Sequence, residues 1–214
     1  MNRSTVPVLL LLGSVASACF AAPVPKADPT RWELDFKFHD PQRIELTLPG
    51  ERQPITFWYM LYTVTNNSGQ EVEYYPSFDL VTDTLKVTEG GAHISPRVQD
   101  AVRERHIKEY PFFVEPTKVS GKLLQGEDNA RTSCVIFRDF DREASEFTIF
   151  VAGLSGEMSR APNLTYDPAR PETEDNPKFF PLRKTLGITY RLPGDAQTRH
   201  RATPIRVKRE WVMR

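Results

Sequence analysis

The sequence predicts a mainly β protein, an antiparallel β-sandwich of about nine or ten strands with one inserted helix near residues 96–108. Three observations support this fold class. Apolar and polar side chains alternate along most segments after Trp32, and clusters of Gly, Pro, Asn and Asp separate those segments. The regular exchange of strands and helices that marks a parallel sheet does not occur. A chain of 214 residues suits a single globular domain, which we expect to span residues 32–214.

The first two strands follow the alternating pattern closely. In "WELDFKF", Trp32, Leu34 and Phe36 share one face while charged residues occupy the other, and "RIELTL" repeats the pattern from Arg43. Such alternation is typical of antiparallel strands with one face in the core and one face in solvent. Asp40-Pro41 separates the two segments.

The segment "ITFWYMLYTVT", which begins at Ile55, is apolar on both faces over its first half. A strand of this kind is usually covered on both sides. We therefore expect a central strand that also lies beneath a helix or loop. After a turn at residues 67–69, the segment "QEVEYYPSFDLVT" is expected to return as its partner strand, with a bulge or a switch at the sheet edge where Pro76 interrupts it.

The stretch "YTVTNNSGQEV" is similar to the strand–turn–strand hairpin of bacterial immunoglobulin-like exported modules. A V-T-N step at Val64, Thr65 and Asn66 leads into a small-residue turn at Ser68 and Gly69. The likeness covers about a dozen residues. It implies an immunoglobulin-like sandwich and carries little information about function.

A helix is predicted where the strand pattern stops. Ser95 is a favourable N-cap and Pro96 suits the first helical position. Val98 and Val102 then form a narrow apolar stripe, and Pro111 lies beyond the expected end. We expect this helix to cover one face of the sheet.

Residues 157–181 show no clear period and contain five prolines and several acids. We predict a long, Pro-rich acidic loop, and loops of this length are either functional or mobile. The chain ends in "PIRVKREWVMR", where Ile205 and Val207 alternate with Arg206 and Lys208. This pattern predicts an edge strand with a charged outer face, which discourages unwanted strand pairing. Binding of an anionic envelope polymer is the alternative.

The N-terminus has the layout of a secretory signal. Arg3 precedes an apolar run from about Val6 to Leu12, followed by small residues up to Ala22. We predict a signal peptide at residues 1–21, a linker at residues 22–31, and a periplasmic or extracellular protein. Lipid attachment at Cys19 is the alternative. The apolar run is too short to span a bilayer, and no transmembrane helix is predicted.

The sequence offers no recognisable catalytic set. Ser155 in "GLSGE" lacks the second glycine and the following helix of a nucleophile elbow. Cys134 alternates with Ile136 as a buried thiol would, and the four histidines lack metal-ligand spacing. Asp139, Asp141 and Glu143 are weak candidates for a calcium site, with solvated loop charge as the alternative. No other cofactor is predicted.

Five aromatic residues are candidate ligand contacts: Trp58, Tyr59, Tyr62, Tyr74 and Tyr75. Exposed and coplanar, such rings would stack on sugars, but their apolar neighbours favour a place in the core. Equal numbers of basic and acidic residues, 28 each, argue against a nucleic-acid partner. We therefore expect a non-catalytic, exported binding or structural module whose partner is an envelope protein or glycan. The alternative is a carbohydrate-binding module or a small glycan-acting enzyme.

Overall fold

The computed structural model describes residues 32–214 and shows a mainly β protein built from antiparallel sheets, with one α-helix in that range. The predicted signal peptide and linker, residues 1–21 and 22–31, lie outside the described residues, as does Cys19. The strands are β1 Asp35–Phe38, β2 Gln42–Leu46, β3 Ile55–Thr65, β4 Val72–Tyr74, β5 Ser77–Thr82, β6 Val87–Glu89, β7 Gly121–Leu123, β8 Arg131–Arg138, β9 Glu146–Ala152, β10 Met158–Pro162, β11 Phe179–Arg191 and β12 Ile205–Met213.

The remaining regular elements are the helix α1, Pro96–His106, and three short 3-10 turns at Pro116–Lys118, Glu127–Asn129 and Arg199–Arg201. The helix prediction is confirmed, including Pro96 in the first turn and buried Val98 and Val102. No helix in residues 32–214 combines the length and the apolar character that a membrane crossing requires. The described strands number twelve, more than the nine or ten predicted, because one predicted strand is divided into β4 and β5, β6 has only three residues, and β10 lies within the predicted loop.

Sheet 1 consists of β1, β2, β3 and β8, and β3 is its central strand. Both β1 and β2 pair with β3, and β8 pairs with β3 along residues 57–64. Sheet 2 contains β5, β6, β9, β10, β11 and β12, with β11 paired to β9, β10 and β12. The strands β4 and β7 form a separate two-stranded ribbon.

The two sheets share one hydrophobic core, and β3 explains how it is built. Its residues Trp58, Met60 and Tyr62 point into the core, where they are buried with Leu80 of β5 and Ile188 of β11. Alternate residues of β1, β8, β9 and β11 also belong to this core, and β4 and β7 add Val72, Tyr74 and Leu123.

A second apolar cluster lies on the other side of sheet 1. There Phe57, Tyr59 and Leu61 of β3 pack with Val98 and Val102 of α1. The double-sided apolar pattern of this strand therefore has the predicted cause, because one face meets sheet 2 and the other meets the helix.

The prediction of a hairpin after β3 is wrong. The chain turns at Asn66, whose side-chain Nδ2 donates to the carbonyl groups of Gln70 and Leu123. It then leaves sheet 1: β4 pairs with β7, and β5 pairs with β6 and β9 in sheet 2. Pro76 lies between β4 and β5, at the place where the chain enters sheet 2. Main-chain pairing across β3 is already taken by β1, β2 and β8, so no edge is left for a hairpin partner.

The C-terminal strand β12 pairs with β11 at the edge of sheet 2, but its charges are arranged differently from the prediction. The register shifts between Thr189 and Tyr190, which brings Tyr190 opposite Arg206. Arg206 then lies over the Phe38 ring at 5.3 Å, while Val207 is exposed. The bulge changes which side chains face inward, a change that simple alternation cannot predict.

Candidate functional site

The five aromatic candidates do not form an exposed platform. Trp58, Tyr59, Tyr62 and Tyr74 are at most 2% exposed, and Tyr75 alone is exposed, at 64%. Burial of this kind places the first four in the core, where large rings contribute most to stability. They are therefore not available for stacking on a sugar.

The hydroxyl of Tyr59 marks a polar cluster where α1 ends. It donates to Oε1 of Gln42 at 2.8 Å and lies 2.9 Å from Nε2 of His106. Burial, with a smaller contribution from the Arg105 charge, lowers the pKa of His106, so the neutral imidazole is favoured there. These contacts anchor the helix on sheet 1, and no activated nucleophile accompanies them in the described residues.

The three candidate calcium ligands each have other contacts or face solvent. Asp139 accepts a hydrogen bond from Nε1 of Trp58 at 3.1 Å. Asp141 accepts one from Thr84 at 2.6 Å and pairs with Lys86, and these contacts lower its pKa to about 2. No group of three His, Cys, Asp or Glu side chains in residues 32–214 is arranged to hold a metal ion.

The two candidate nucleophiles, Cys134 and Ser155, lie in different surroundings. Cys134 is buried in the cluster beneath α1, and burial raises the pKa of its thiol to about 12. At that pKa the reactive thiolate is scarce near neutral pH. Ser155 follows β9 and forms an isolated β-bridge with Glu33, and its hydroxyl accepts the Glu157 amide hydrogen at 3.1 Å.

The segment predicted as a loop at 157–181 is irregular over residues 163–178, but its two ends are paired strands. β10 and the first residues of β11 pair from Met158↔Arg183 to Pro162↔Phe179, and only residues 163–178 connect them. Proline is compatible with pairing here because β10 is an edge strand. On β11, Pro181 is directed toward the same outward edge as Arg183, whose main chain bonds to Arg214 there. We call residues 158–183 the arm.

Side-chain amides hold the tip of the arm in place. Nδ2 of Asn163 donates to the Pro177 carbonyl at 2.7 Å. Asn176 is buried, accepts the Asp167 amide hydrogen at 2.9 Å and donates to the Pro171 carbonyl at 3.1 Å. An amide with both its oxygen and its nitrogen satisfied by the main chain can order a loop that has little core of its own.

The two faces of the arm differ. Because cross-strand partners share a face, one side carries six residues, and every one of them is exposed. We call this side the outer arm face; its residues are Met158, Arg160, Pro162, Phe179, Pro181 and Arg183. The opposite side carries Ser159, Ala161 and Leu182, which are partly buried, and Phe180, which is 46% exposed.

The outer arm face continues into a recess on the outer surface of sheet 2. The recess has a volume of about 200 Å³ and is lined by Arg183, Thr185, Phe150, Asp79 and Arg214, among others. The Arg214 guanidinium lies 4.4 Å from the centre of the Phe150 ring and 3.1 Å from the Asp79 carboxylate. Arg183 belongs to both features, so arm and recess form one continuous surface.

Sequence reasoning missed this surface, although a signal was present. In "MSRAP", Met158, Arg160 and Pro162 alternate with the small residues Ser159 and Ala161. The prolines and acids of the neighbouring tip obscured this short period-two pattern. Comparison of the chain with protein family models, curated proteins and solved structures found no match.

Proposed function

We propose that this protein is an exported, non-catalytic module of immunoglobulin-like sandwich type that binds another protein of the cell envelope. The observation that carries the proposal is the outer arm face, on which all six residues of three cross-strand pairs are exposed. The signal-like N-terminal sequence supports export, and the buried state of the candidate nucleophile supports a non-catalytic role.

The composition of this face suits a protein interface. Aromatic residues, Met and Arg are enriched where proteins meet, and the outer arm face carries Phe179, Met158 and two arginines. Phe179 and Met158 are 42% and 50% exposed in the isolated chain. Complete burial of one such side chain contributes about 1.5–3 kcal/mol, so covering the remaining exposed area contributes part of that amount.

A partner that covers the outer arm face would also stabilise the arm itself. A two-stranded ribbon is marginally stable alone, and from Phe179 to Leu182 β11 pairs only with β10. A partner that covered the outer arm face would bury apolar area and protect the ribbon from solvent.

The two arginines of the outer arm face indicate that the partner carries acidic residues. Within residues 32–214, Arg160 and Arg183 form no ion pair with a carboxylate. Their guanidinium groups border the apolar residues as a charged rim borders an interface. An acidic rim on the partner would therefore favour association and fix its orientation.

The experiment compares two adjacent phenylalanines. Phe179 and Phe180 have similar exposure, but only Phe179 belongs to the outer arm face. A photoreactive phenylalanine analogue placed at 179 in cells should give a discrete protein adduct, and the same analogue at 180 should give much less.

Introducing a negative charge at each position provides the second part of the test. Phe179→Asp should abolish co-purification of the crosslinked protein, whereas Phe180→Asp should retain it, with equal melting temperatures as the control. Equal crosslinking at both positions, or an unchanged complex with Phe179→Asp, would refute the proposed surface.

A further inference from the structure

A different site lies at the edge of β8 that faces away from β3. Two chain segments cover this edge in part: the Gly91 amide donates to the Ile136 carbonyl and the Val114 amide donates to the Thr132 carbonyl, both at 2.8 Å. The two contacts lie four residues apart along β8, which corresponds to about 13 Å of strand.

Between these contacts the main chain of Cys134 faces the same edge. Residues along a strand direct their N–H and C=O groups to alternate edges, so residues 132, 134 and 136 share one direction. Within the described residues, no main-chain hydrogen bond reaches Cys134 from this edge. A donor and an acceptor therefore point into the gap.

The gap opens into a cavity of about 120 Å³. Its lining includes no charged side chain, and its walls come from both sheets and from the segments on either side of the gap. The apolar part of the wall is formed chiefly by Tyr62, Phe78, Ile94, Val119, Val135 and Ile136. A water molecule needs only about 10–15 Å³, and an apolar cavity of about 150 Å³ can hold benzene, so this space suits a small side chain.

The cavity is preformed because its wall is close-packed. A Cβ atom at Gly90 would lie 2.4 Å from Cγ2 of Val135 and 2.9 Å from Cβ of Phe78. There is therefore no space for a side chain at Gly90, whose main chain lies against Val135 of β8. Gly91, the next residue, and Ser120 also line the cavity; both are exposed and border its opening to solvent.

We infer that this gap binds one residue of an extended peptide with a small apolar side chain. In an antiparallel pairing a single residue exchanges both of its main-chain hydrogen bonds with the residue opposite, here Cys134. The apolar lining accepts a side chain such as valine and excludes a charged one. The site is separate from the outer arm face and does not depend on it.

The test uses acetyl-Ala-Val-Ala-amide as the probe, titrated into the isotopically labelled, exported chain and followed by amide NMR shifts. We expect saturable shifts at Cys134 and Gly91. The matched probe carries N-methylvaline, which lacks the central N–H, and should bind at least tenfold more weakly. Absence of shifts at millimolar peptide, or equal binding of the two probes, would overturn the inference.

A protein variant checks the position of the site. Ser120→Trp places a large ring at the exposed mouth of the cavity and should reduce binding at least tenfold. Val87→Trp, at an exposed position outside the cavity, should bind as the unmodified chain does. Thermal melts establish that both variants are folded, and unchanged binding by Ser120→Trp would also contradict the inference.

Discussion

Replacing Trp58 by alanine tests whether the aromatic strand β3 belongs to the core. Trp58 is 2% exposed, and its ring packs 5.5 Å from the ring of Phe140. A buried aromatic side chain removes about 150–250 Å² from water. At about 25 cal/mol per Å² this corresponds to roughly 4–6 kcal/mol, an upper bound because the unfolded chain already buries some area.

Alanine retains part of that burial, and the cavity left behind adds a further penalty, so we expect a loss of about 3–5 kcal/mol. The hydrogen bond from Nε1 to the Asp139 carboxylate contributes about 1.5–3 kcal/mol within that total. For a chain of this size the melting temperature should fall by roughly 6–20 °C.

The assay is urea denaturation followed by circular dichroism, with the midpoint and the slope determined for each variant. Tyr75→Ala is the control, because Tyr75 is 64% exposed and its loss should change the free energy of unfolding by less than about 0.5 kcal/mol. If Trp58→Ala lost less than about 1 kcal/mol, the ring could not be an essential part of the core.

Three further results are expected. Gly90→Ala should lower the free energy of unfolding by about 1–3 kcal/mol in urea denaturation, because its Cβ would overlap Val135. Thr84→Val should raise the pKa of Asp141 from about 2 towards its ordinary value, measured by carboxyl NMR titration, because the Thr84 hydroxyl donates to that carboxylate. Because the pKa of His106 is lowered on folding, the unfolded chain binds more protons below about pH 6.5, and stability therefore decreases as the pH is lowered through this range. His106→Gln should flatten that dependence of the urea midpoint, and an unchanged profile would contradict it.

Local pattern was sufficient to predict most strands and the helix. Alternation of Leu34 and Phe36 with charged neighbours places β1, and Ser95-Pro96 with Val98 places α1, because each pattern depends on residues close in sequence. The double-sided apolar character of β3 also predicted its cover on both faces.

Pairing between strands was harder to predict, since it depends on residues distant in sequence. The segment after Gly69 looked like the return strand of a hairpin, but β1, β2 and β8 occupy both edges of β3. In β12, the register shift opposite Tyr190 changes the facing of Arg206 without any local signal such as glycine.

The candidate binding surface could not be predicted from the sequence for a related reason. Phe179 and Met158 are 21 positions apart in the chain, yet strand pairing places them on one face. The tip between them is rich in proline and acidic residues, which indicated an irregular loop. Its order comes from Asn163 and Asn176, whose contacts with carbonyl groups cannot be inferred from composition.

Sheet 1 is covered on both faces and sheet 2 on one, and this difference determines where substitutions can be tolerated. Sheet 1 is enclosed by α1 on one side and by sheet 2 on the other, so few of its positions tolerate a change of volume. On β9 and β11, alternate positions such as Phe150 and Thr189 face away from that interior. Substitutions at these positions change the surface that a partner would contact while the same interior maintains the fold.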